Sequence, residues 1–566
     1  MYPGQYQATV TKLLTFGVPL VSMFIMTGTV TDPVNLTKFL ILGAVGTAGL
    51  LIVFSRGMRQ VLSTSKIALV IAGLFLIFGI SSVAFSESPF TQNLYGVYGR
   101  NTGFLTYLFL TGIMLSALTL ANATGFKNLF FGFFITGVVN VAYCGWVVFF
   151  GDFVGWDNPY GNILGLFGNP NFIGAFLGIW ISATVGFFLV NKTPIWQRVL
   201  VALLAILAMY EVYMSRAVQG VVVTVAGLAT VLFYFIRSKT KGSLVISVYS
   251  GGVVGFGILS VFGALQKGPL AEFIYKTSVS LRGAYWNAGI QMGLENPLMG
   301  VGMDSYGDWY RRARSEHAAT VLPGPNTVTN SAHNVFLDIF SYGGFPLLIS
   351  YVALVALGAW AILNHLRRSR VYDPVFVALS VAWVGYQLQS IISINQIGLA
   401  VWGWVLTGAL IAYEATQSRG EKTENEPTRT VHRKIQQNSQ VISNPLIVGL
   451  GVVLGLLLAS PPISADMAWL KGTRSGNYLE VQKALEPSYL RPSSSQRLAE
   501  MALLLENSKL YDQAREYALK ATKFNPNYSD AWYALYSVKN STQEEKSEAL
   551  NNLKRLDPFN RDVTSR

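Results

Sequence analysis

One histidine in a long polar stretch is the best candidate for chemistry in this sequence. His333 belongs to Ser331-Ala332-His333-Asn334, near the end of the segment from Lys267 to Gly344 that interrupts a series of apolar runs. An imidazole titrates near neutrality, so it can take a proton from a hydroxyl nucleophile without being permanently charged. The segment therefore predicts a general base, and the alternative is a histidine that caps or packs the helix expected from Val335 to Phe340.

Three arginines are candidates for binding an anion. Arg100, Arg216 and Arg282 stand beside apolar runs, where a guanidinium is unfavourable to desolvate unless a negative group pairs with it. For Arg216, in the tight turn between two runs, the alternative is an ion pair with Glu211. For Arg282, the alternative is an interfacial arginine that reaches lipid phosphates. The three arginines indicate a site for phosphate groups.

A further group of cations is mixed with aromatic residues in the same polar segment. It comprises Arg311, Arg312 and Arg314 beside Tyr306, Trp309 and Tyr310. Such a mixture suits a sugar phosphate and equally suits lipid head groups. We include Tyr306 among the residues expected to bind substrate.

Metal and cofactor chemistry is not expected. The stretches assigned below to the external side contain no Asp-x-Asp pair, so a divalent metal held by paired carboxylates is not predicted. The single cysteine, Cys144, excludes an internal disulfide and a thiolate metal site. No glycine loop for a nucleotide is present. Arginines would then have to neutralise a phosphorylated substrate, because guanidinium groups bind phosphate oxygens bidentately at any relevant pH.

The composition defines the elements that must position these residues. Hydrophobic residues make up 51% of the 566 residues, charged residues only 13%, and the mean hydropathy is +0.40. These values predict an all-α polytopic membrane protein rather than a soluble one. Thirteen runs are each about one bilayer long, at residues 12–30, 36–54, 67–84, 103–121, 129–150, 170–190, 197–214, 218–236, 243–263, 345–363, 374–394, 396–414 and 444–460.

The basic residues predict the orientation. The net charge of +13 could suggest a nucleic-acid partner, but the Lys and Arg residues collect in short loops between every second pair of runs. That distribution is the positive-inside pattern, so no nucleic acid is expected. It places the N-terminus in the cytosol and residues after 460 outside, in a multi-pass protein of the cytoplasmic (inner) membrane. The polar segment with His333 then faces the outer side.

The chain divides into four predicted parts. Residues 1–414 form a transmembrane domain with an external loop at 264–344, and residues 415–443 form a polar cytosolic linker. Residues 444–460 add one more transmembrane helix, and residues 461–566 form an external helical tail. Small residues at Ala514, Ala518 and Ala521, with Asn525-Pro526-Asn527 echoed at Asp557-Pro558-Phe559-Asn560, resemble one to two tetratricopeptide repeats. Such a tail is a stable cap or a docking surface for a protein partner.

The motifs together resemble those of the O-antigen ligase superfamily, which includes O-antigen ligases, Wzy-type polymerases and protein O-oligosaccharyltransferases. The resemblance covers roughly residues 60–414. It depends on the order and spacing of Arg282 with Trp286, Pro297-x-x-Gly300-x-Gly302, His333-Asn334 and Gly343-Gly344, together with Gly168-Asn169-Pro170-Asn171 and Ser215-Arg216.

The resemblance implies a GT-C membrane glycosyltransferase. Its donor would be a glycan carried on undecaprenyl diphosphate at the outer face, and its acceptor a hydroxyl of a lipid, a protein or the growing glycan. By the same resemblance, His333 is the base or orients the acceptor, Arg216 and Arg282 hold the diphosphate, and Arg100, Asn169 and Asn334 belong to the substrate site. The predicted thirteenth span departs from the family's usual twelve.

A transporter or flippase of a lipid-linked glycan is the alternative. In that case the arginines and polar residues such as Gln387, Gln389 and Asn395 would line a path across the membrane. Transporters tend to concentrate charge near the midplane in two related halves. This sequence instead collects charge at one face under a long loop, which favours the enzyme.

Overall fold

The computed structural model describes residues 3–156, 158–274, 277–424 and 443–565, and its regular elements in these ranges are helices. Ten described helices are long and apolar enough to cross a membrane. An all-α polytopic membrane protein is therefore confirmed. These helices are Asn35–Phe85, Ala123–Phe150, Pro170–Phe188, Ile195–Met214, Val218–Lys239, Ser243–Ala264, Val335–Arg368, Pro374–Ile392, Ile397–Arg419 and Asn444–Ser475.

The difference from thirteen predicted spans has three sources. The first predicted span is divided into Pro3–Lys12, a π-helical turn Leu13–Gly17 and Val18–Met23, while the span predicted at 103–121 is the shorter helix Phe104–Ala117. The spans predicted at 36–54 and 67–84 belong to the single stretch Asn35–Phe85. That stretch has a π-helical turn at Val53–Gly57 and an extended residue at Ser65, so the two predicted spans lie on either side of a bend.

The helix Asn444–Ser475 is an integral part of the bundle. It extends well beyond the predicted end at residue 460 and packs against the helix Asn35–Ile52. A Cβ atom added at Gly455 would lie 2.1 Å from the carbonyl oxygen of Gly43, so the two backbones are in direct contact. Small residues allow such close approach in membranes, where apolar area alone does not drive helices together.

The predicted linker at 415–443 is only partly described. The helix that begins at Ile397 continues to Glu424, beyond the predicted start of the linker. Residues 425–442 lie outside the described part of the chain. The apolar window of this helix is wholly buried, whereas that of Ser243–Ala264 has no buried residue, so the first is central in the bundle and the second peripheral.

Residues 265–334 form the long loop. It contains the helices Ala271–Ile274, Thr277–Glu295, Tyr306–Ala313 and Glu316–Thr320. The helix Val335–Arg368 follows, but Gly343 and Gly344 have non-helical backbone angles, so a short first segment precedes the apolar one. The sequence predicted this division, with a helix from Val335 and a span from 345.

Residues 476–565 form the tail. Its main helices are Tyr478–Leu485, Ser495–Asn507, Tyr511–Phe524, Ser529–Ser537 and Gln543–Leu556. Ala514, Ala518 and Ala521 are fully buried within a separate hydrophobic core. Helical packing through small residues is thus present, and the tetratricopeptide assignment stays a prediction.

Candidate active site

His333 lies in a turn held by a buried carboxylate. The Ser331 hydroxyl donates to both carboxylate oxygens of Asp338, at 3.0 and 2.8 Å, and the Ala332 amide donates to the same carboxylate at 2.8 Å. Ser331 Oγ in turn accepts from the His333 amide at 2.9 Å. Asp338 belongs to the first turn of the helix that begins at Val335, so the helix itself positions the histidine.

The geometry of the His333 ring indicates which nitrogen is free. Its Nδ1 lies 3.3 Å from the carbonyl oxygen of Ser331, which can only accept a hydrogen bond. Nδ1 therefore carries the proton in the neutral ring, and Nε2 is left as the acceptor. The ring centroid lies 5.4 Å from that of Tyr285.

Burial and two arginines keep the His333 imidazole neutral. Burial lowers the pKa of His333 to about 4, and the nearby charges of Arg100 and Arg282 act in the same direction. The structure thus brings together three of the residues predicted from the sequence. Burial also lowers the pKa of Arg282, which forms no ion pair within the described residues. His333 can therefore accept a proton at neutral pH.

Arg100 has acidic neighbours in the structure, whereas the sequence had suggested that it has none. Its Nε lies 3.6 Å from Asp304 Oδ1 and its Nη2 lies 4.0 Å from Asp338 Oδ2, while Nη1 donates to the carbonyl oxygen of Asn330 at 2.7 Å. Burial opposes its charge, but Tyr342, Asp304 and Asp338 raise its pKa overall. The two aspartates lie more than two hundred positions after Arg100 in the sequence, so their contacts with it could not be predicted from neighbouring residues. We call Arg100, Asp304, Ser331, His333 and Asp338 the Arg100 network.

The glycine motifs hold this network against the membrane helices. The Val301 amide donates to the Ser341 carbonyl at 2.7 Å, and the Phe345 amide donates to the Pro297 carbonyl at 2.8 Å. A Cβ atom at Gly300, which has a φ of +63°, would lie 2.3 Å from the carbonyl carbon of Tyr342. The Pro297-x-x-Gly300-x-Gly302 and Gly343-Gly344 motifs are therefore two halves of one contact.

Tyr306 and Asn334 form hydrogen bonds with other residues of the protein. Tyr306 is fully buried, and its hydroxyl donates to the Tyr285 carbonyl at 2.6 Å. The side-chain oxygen of Asn334 accepts from the amides of Phe336 and Leu337, at 3.0 and 3.2 Å, and caps the helix. These contacts support the surroundings of His333 and leave no exposed Tyr306 surface for substrate.

Arg216 and Asn169 lie in a second, adjoining region. The Gln219 amide group donates to the Asn171 carbonyl at 2.6 Å, so the turn of Arg216 contacts the start of the helix Pro170–Phe188. Asn169 caps that helix through the Asn171 amide at 2.9 Å, and its Nδ2 donates to the Tyr160 hydroxyl at 3.1 Å. These two motifs are thus neighbours in the fold, although 47 positions separate Asn169 from Arg216 in the numbering.

The Arg216 guanidinium is exposed, and within the described residues it forms no ion pair or side-chain hydrogen bond. The alternative partner, Glu211, is buried, and neither of its carboxylate oxygens has a hydrogen-bond partner. An Arg216–Glu211 ion pair is therefore not formed. Arg216 remains available to an anion, but no contact among the described residues joins it to His333.

A polar cavity connects Arg100 with Asn169. It has a volume of about 580 Å³. Its lining includes Asp32, Asn35, Arg100, Asn169, Gln396 and Arg474. His333, Arg216 and Arg282 do not line this cavity. The predicted residues therefore do not share one enclosed pocket: Arg100 and Asn169 line the polar cavity, and the other three do not.

Backbone strain is concentrated around these residues. Six described residues other than glycine have a left-handed φ, and four of them are Asn101, Arg216, Asp304 and His333, with φ between 54° and 55°. This conformation is unfavourable for most side chains and persists where surrounding contacts impose it, often at functional sites. The distribution points to the same region as the charges do.

The cluster at 311–314 binds the tail. Arg314 Nη2 contacts both carboxylate oxygens of Asp557, at 2.7 and 2.9 Å, and Arg311 reaches the same carboxylate at 3.2 Å. Arg314 and Asp557 are each 1% exposed. The expectation that these arginines contact a sugar phosphate therefore does not hold for Arg314, which is enclosed by protein. Arg312 instead stacks on Trp309, with 3.4 Å from its guanidinium carbon to the ring centroid.

In the ranges that the structure describes, no group of three or more His, Cys, Asp or Glu side chains is arranged to hold a metal ion.

Residues 200–352 match the family model described as O-antigen ligase. The match contains Arg216, Arg282, Tyr306, His333 and Asn334, and it leaves out Arg100 and Asn169. The resemblance inferred from the motifs is confirmed, over a shorter range than expected. This part of the chain is thus similar to the O-antigen ligase family, a family of membrane ligases and polymerases of glycans. No curated protein matches this sequence.

Proposed function

We propose that this protein is a glycosyltransferase of the cytoplasmic membrane that works at its outer face. It would transfer or polymerise a glycan from an undecaprenyl-diphosphate carrier onto an acceptor hydroxyl. The observation that carries the proposal is the position of His333, which the Ser331–Asp338 contact fixes with Nδ1 at 3.3 Å from a carbonyl oxygen, within the segment that matches the O-antigen ligase family.

His333 would act as the base. Because Nδ1–H faces the Ser331 carbonyl, Nε2 can take the proton of an acceptor hydroxyl. The acceptor oxygen then attacks the anomeric carbon while the bond from that carbon to the lipid diphosphate breaks. A single displacement of this kind inverts the anomeric centre. The lipid diphosphate leaves as an anion, and the proton remains on His333 until it is released to solvent.

Arg282 and Arg216 would bind the diphosphate. Both lack an ion-pair partner among the described residues, so an arriving anion would be their first counter-charge. Bidentate contacts from guanidinium groups stabilise the charge that develops on the leaving group. Arg100, by contrast, is already paired with Asp304, and we assign it to positioning and to the field around His333.

Product formation in detergent separates this proposal from a flippase. Purified full-length protein in micelles is incubated with an undecaprenyl-diphosphate oligosaccharide and with lipid, peptide or glycan acceptors, and products are identified by mass spectrometry. An enzyme forms a new glycosidic bond although no membrane separates two compartments, whereas a flippase leaves all covalent bonds unchanged. A ladder of repeat units would indicate a polymerase, and a single transfer would indicate a ligase. An absence of any glycosidic product with every acceptor would reject the proposal.

A further inference from the structure

A second cavity is formed where the tail meets the rest of the chain. It has a volume of about 350 Å³, within the range of about 300–1,000 Å³ typical of pockets for small ligands. Its walls come from the 91–101 turn, the helix Tyr306–Ala313, the end of the helix Asn444–Ser475, and the tail from Ala484 to Asp530. We call it the tail cavity.

Several polar contacts hold the walls of the tail cavity together. The Asn525 amide group donates to Asp308 at 2.8 Å, and the Thr91 hydroxyl donates to the Ser493 carbonyl at 3.1 Å. Arg497 pairs with Asp466 at 2.9 Å. The cavity is therefore a built feature of the docked tail.

The charges around the tail cavity disfavour an anionic ligand. Both arginines of its lining are already paired, Arg497 with Asp466 and Glu500, and Arg311 with Asp557. Two further carboxylates of the lining, Asp308 and Asp530, form no ion pair within the described residues. Carboxylates accept hydrogen bonds but cannot donate them when ionised, so these two would bind hydroxyl groups and repel phosphate.

Amide and aromatic groups complete a lining suited to sugars. The Asn330 side chain offers a donor and an acceptor, and Gln92 offers only its oxygen because its amide group already donates to Ser305 and Asp308. The rings of Tyr98 and the largely buried Trp469 also belong to the lining. Arg497 lies over both rings, with 4.1 and 4.8 Å from its guanidinium carbon to their centroids, and so keeps them in place. Because this guanidinium covers the rings, the cavity offers a neutral saccharide hydroxyl acceptors rather than an apolar platform.

The tail cavity lies next to the Arg100 network. Asn330 lines the cavity, and its carbonyl accepts from Arg100 Nη1 at 2.7 Å. From Asn330 the loop continues through Ser331 to His333. The turn that lines the cavity at Val97 also donates its amide to Asp304 at 2.9 Å. One end of a glycan chain could therefore occupy the cavity while another part reaches the transfer site.

We propose that the tail cavity is a binding subsite for an uncharged, hydroxyl-rich saccharide unit of the glycan that this protein transfers or extends. The subsite rests on the proposed function for its role, but its ligand chemistry follows from the cavity itself. The tail thereby contributes directly to substrate binding.

The test measures binding separately from transfer. Full-length protein in detergent is applied to an array of neutral and acidic oligosaccharides, and the strongest neutral glycan is titrated by isothermal calorimetry. The variants are Asp530→Asn, which alters an acceptor of the cavity, and Val328→Trp, which fills space at its wall. The matched control is Asp512→Asn, since Asp512 lies on the tail outside the cavity and its carboxylate accepts from the Asn540 side chain at 2.8 Å.

We expect neutral glycans to be retained, with binding weakened about tenfold by either cavity variant and unchanged by Asp512→Asn. In a transfer assay, the cavity variants would raise KM and leave kcat intact. Retention of acidic glycans alone, retention of none, or equal binding by wild type and both cavity variants would overturn the subsite. Neutral binding that depends on the cavity in a protein without transfer activity would retain the subsite and reject the proposed function.

Discussion

Asp338 positions His333 through Ser331. The Ser331 hydroxyl lies 2.8 Å from one oxygen of the Asp338 carboxylate and 3.0 Å from the other, and the same hydroxyl oxygen accepts the His333 amide at 2.9 Å. His333 is thereby kept at a φ of 55°, a conformation that requires support from its surroundings. A fully buried carboxylate thus determines where the imidazole lies.

Replacing Asp338 should therefore impair turnover more than binding. In Asp338→Asn, the oxygen that lies 2.8 Å from the Ser331 hydroxyl becomes an NH₂ group, so this hydroxyl loses its shorter acceptor and the turn loses the negative charge beside it. Displacement of a catalytic group by an ångström can lower the rate about 100-fold, and we expect a fall of that order in kcat with little change in KM. Steady-state transfer kinetics measure both.

The matched control for that variant is Asp373→Asn. Asp373 caps the helix Pro374–Ile392, where its side chain accepts from Val375 and Phe376, and asparagine caps equally well. Its kcat should remain that of the wild type. An equal loss in the two variants, or a loss in thermal stability that accounts for the effect of Asp338→Asn, would contradict a positioning role.

The pH dependence of transfer tests the charges around His333. An imidazole is a base only when neutral, so activity is present above its pKa and is lost as the pH falls through it. Because burial, Arg100 and Arg282 lower this pKa to about 4, the acid limb of kcat/KM should lie well below the ordinary value of 6.5. Arg282→Gln removes one repulsive charge and should move the limb to higher pH.

Arg312→Gln is the control for the pH profile. Arg312 belongs to the same loop, but its guanidinium stacks on Trp309 and does not contribute to the shift at His333. Its acid limb should coincide with that of the wild type. A limb that stays in place in Arg282→Gln, or one that moves toward lower pH, would count against His333 as the titrating base.

The ion pair between loop and tail should control tail docking. Arg314 and Asp557 are both buried, and removing one member of a buried pair costs about 3–5 kcal/mol because the other charge is left without a partner. In Arg314→Ala, amides of the helices Gln543–Leu556 and Tyr306–Ala313 should exchange hydrogen faster. Mass-spectrometric hydrogen exchange measures this directly.

Arg515→Ala is the control for docking. Arg515 pairs with Glu545 at 2.6 Å inside the tail and is partly exposed, so its loss should change exchange only locally. If exchange in the helix Tyr306–Ala313 were the same in Arg314→Ala and the wild type, the ion pair would not be what holds the tail.

Gly300→Ala should destabilise the contact between the two glycine motifs. The added methyl group would meet the Tyr342 backbone at a φ of +63°, and such strain alone costs on the order of 1–3 kcal/mol. We expect a lower midpoint of thermal unfolding. Gly251→Ala, in the helix Ser243–Ala264 with nothing within 4 Å of the added atom, should leave the midpoint unchanged or raise it. Equal midpoints for the two variants would refute the close contact.

Much of the fold follows from the apolar pattern of the sequence. Runs of about bilayer length predicted the spanning helices. A helix from Val335 to Phe340 followed by a span from 345 predicted the division that the structure has at Gly343 and Gly344. The interruption near Val53–Gly57 was predicted as a loop between two spans, whereas the structure has a π-helical turn there within the stretch Asn35–Phe85. The end predicted at residue 460 was too early, because the helix Asn444–Ser475 continues through Pro461 and Pro462.

The site was predictable in its residue types but not in its pairings. His333, Arg216 and Arg282 could be selected from their local context. Asp304 and Asp338 could not, because their role arises from contacts with Arg100 across the folded chain. Ser331 and Asp338 are seven positions apart, beyond the short separations at which side chains regularly bond to nearby backbone, so this pairing had no local signal either.

The same limit applies to Arg314. Its partner, Asp557, is 243 positions away, so local sequence placed it among substrate-binding cations. Conversely, Arg216 could not be distinguished from a residue paired with Glu211 until the structure showed that carboxylate buried and turned elsewhere. Long-range packing decides which cations are neutralised and which remain open to an anion.

The most direct measurement of the central proposal is the single-turnover rate of glycan transfer in His333→Ala compared with His317→Ala. His317 lies in the same loop, on the short helix Glu316–Thr320, and serves as the matched histidine. We expect the single-turnover rate to fall about 100- to 10,000-fold in His333→Ala, the range for loss of a general base, and to stay unchanged in His317→Ala. A wild-type rate in His333→Ala would contradict the proposal.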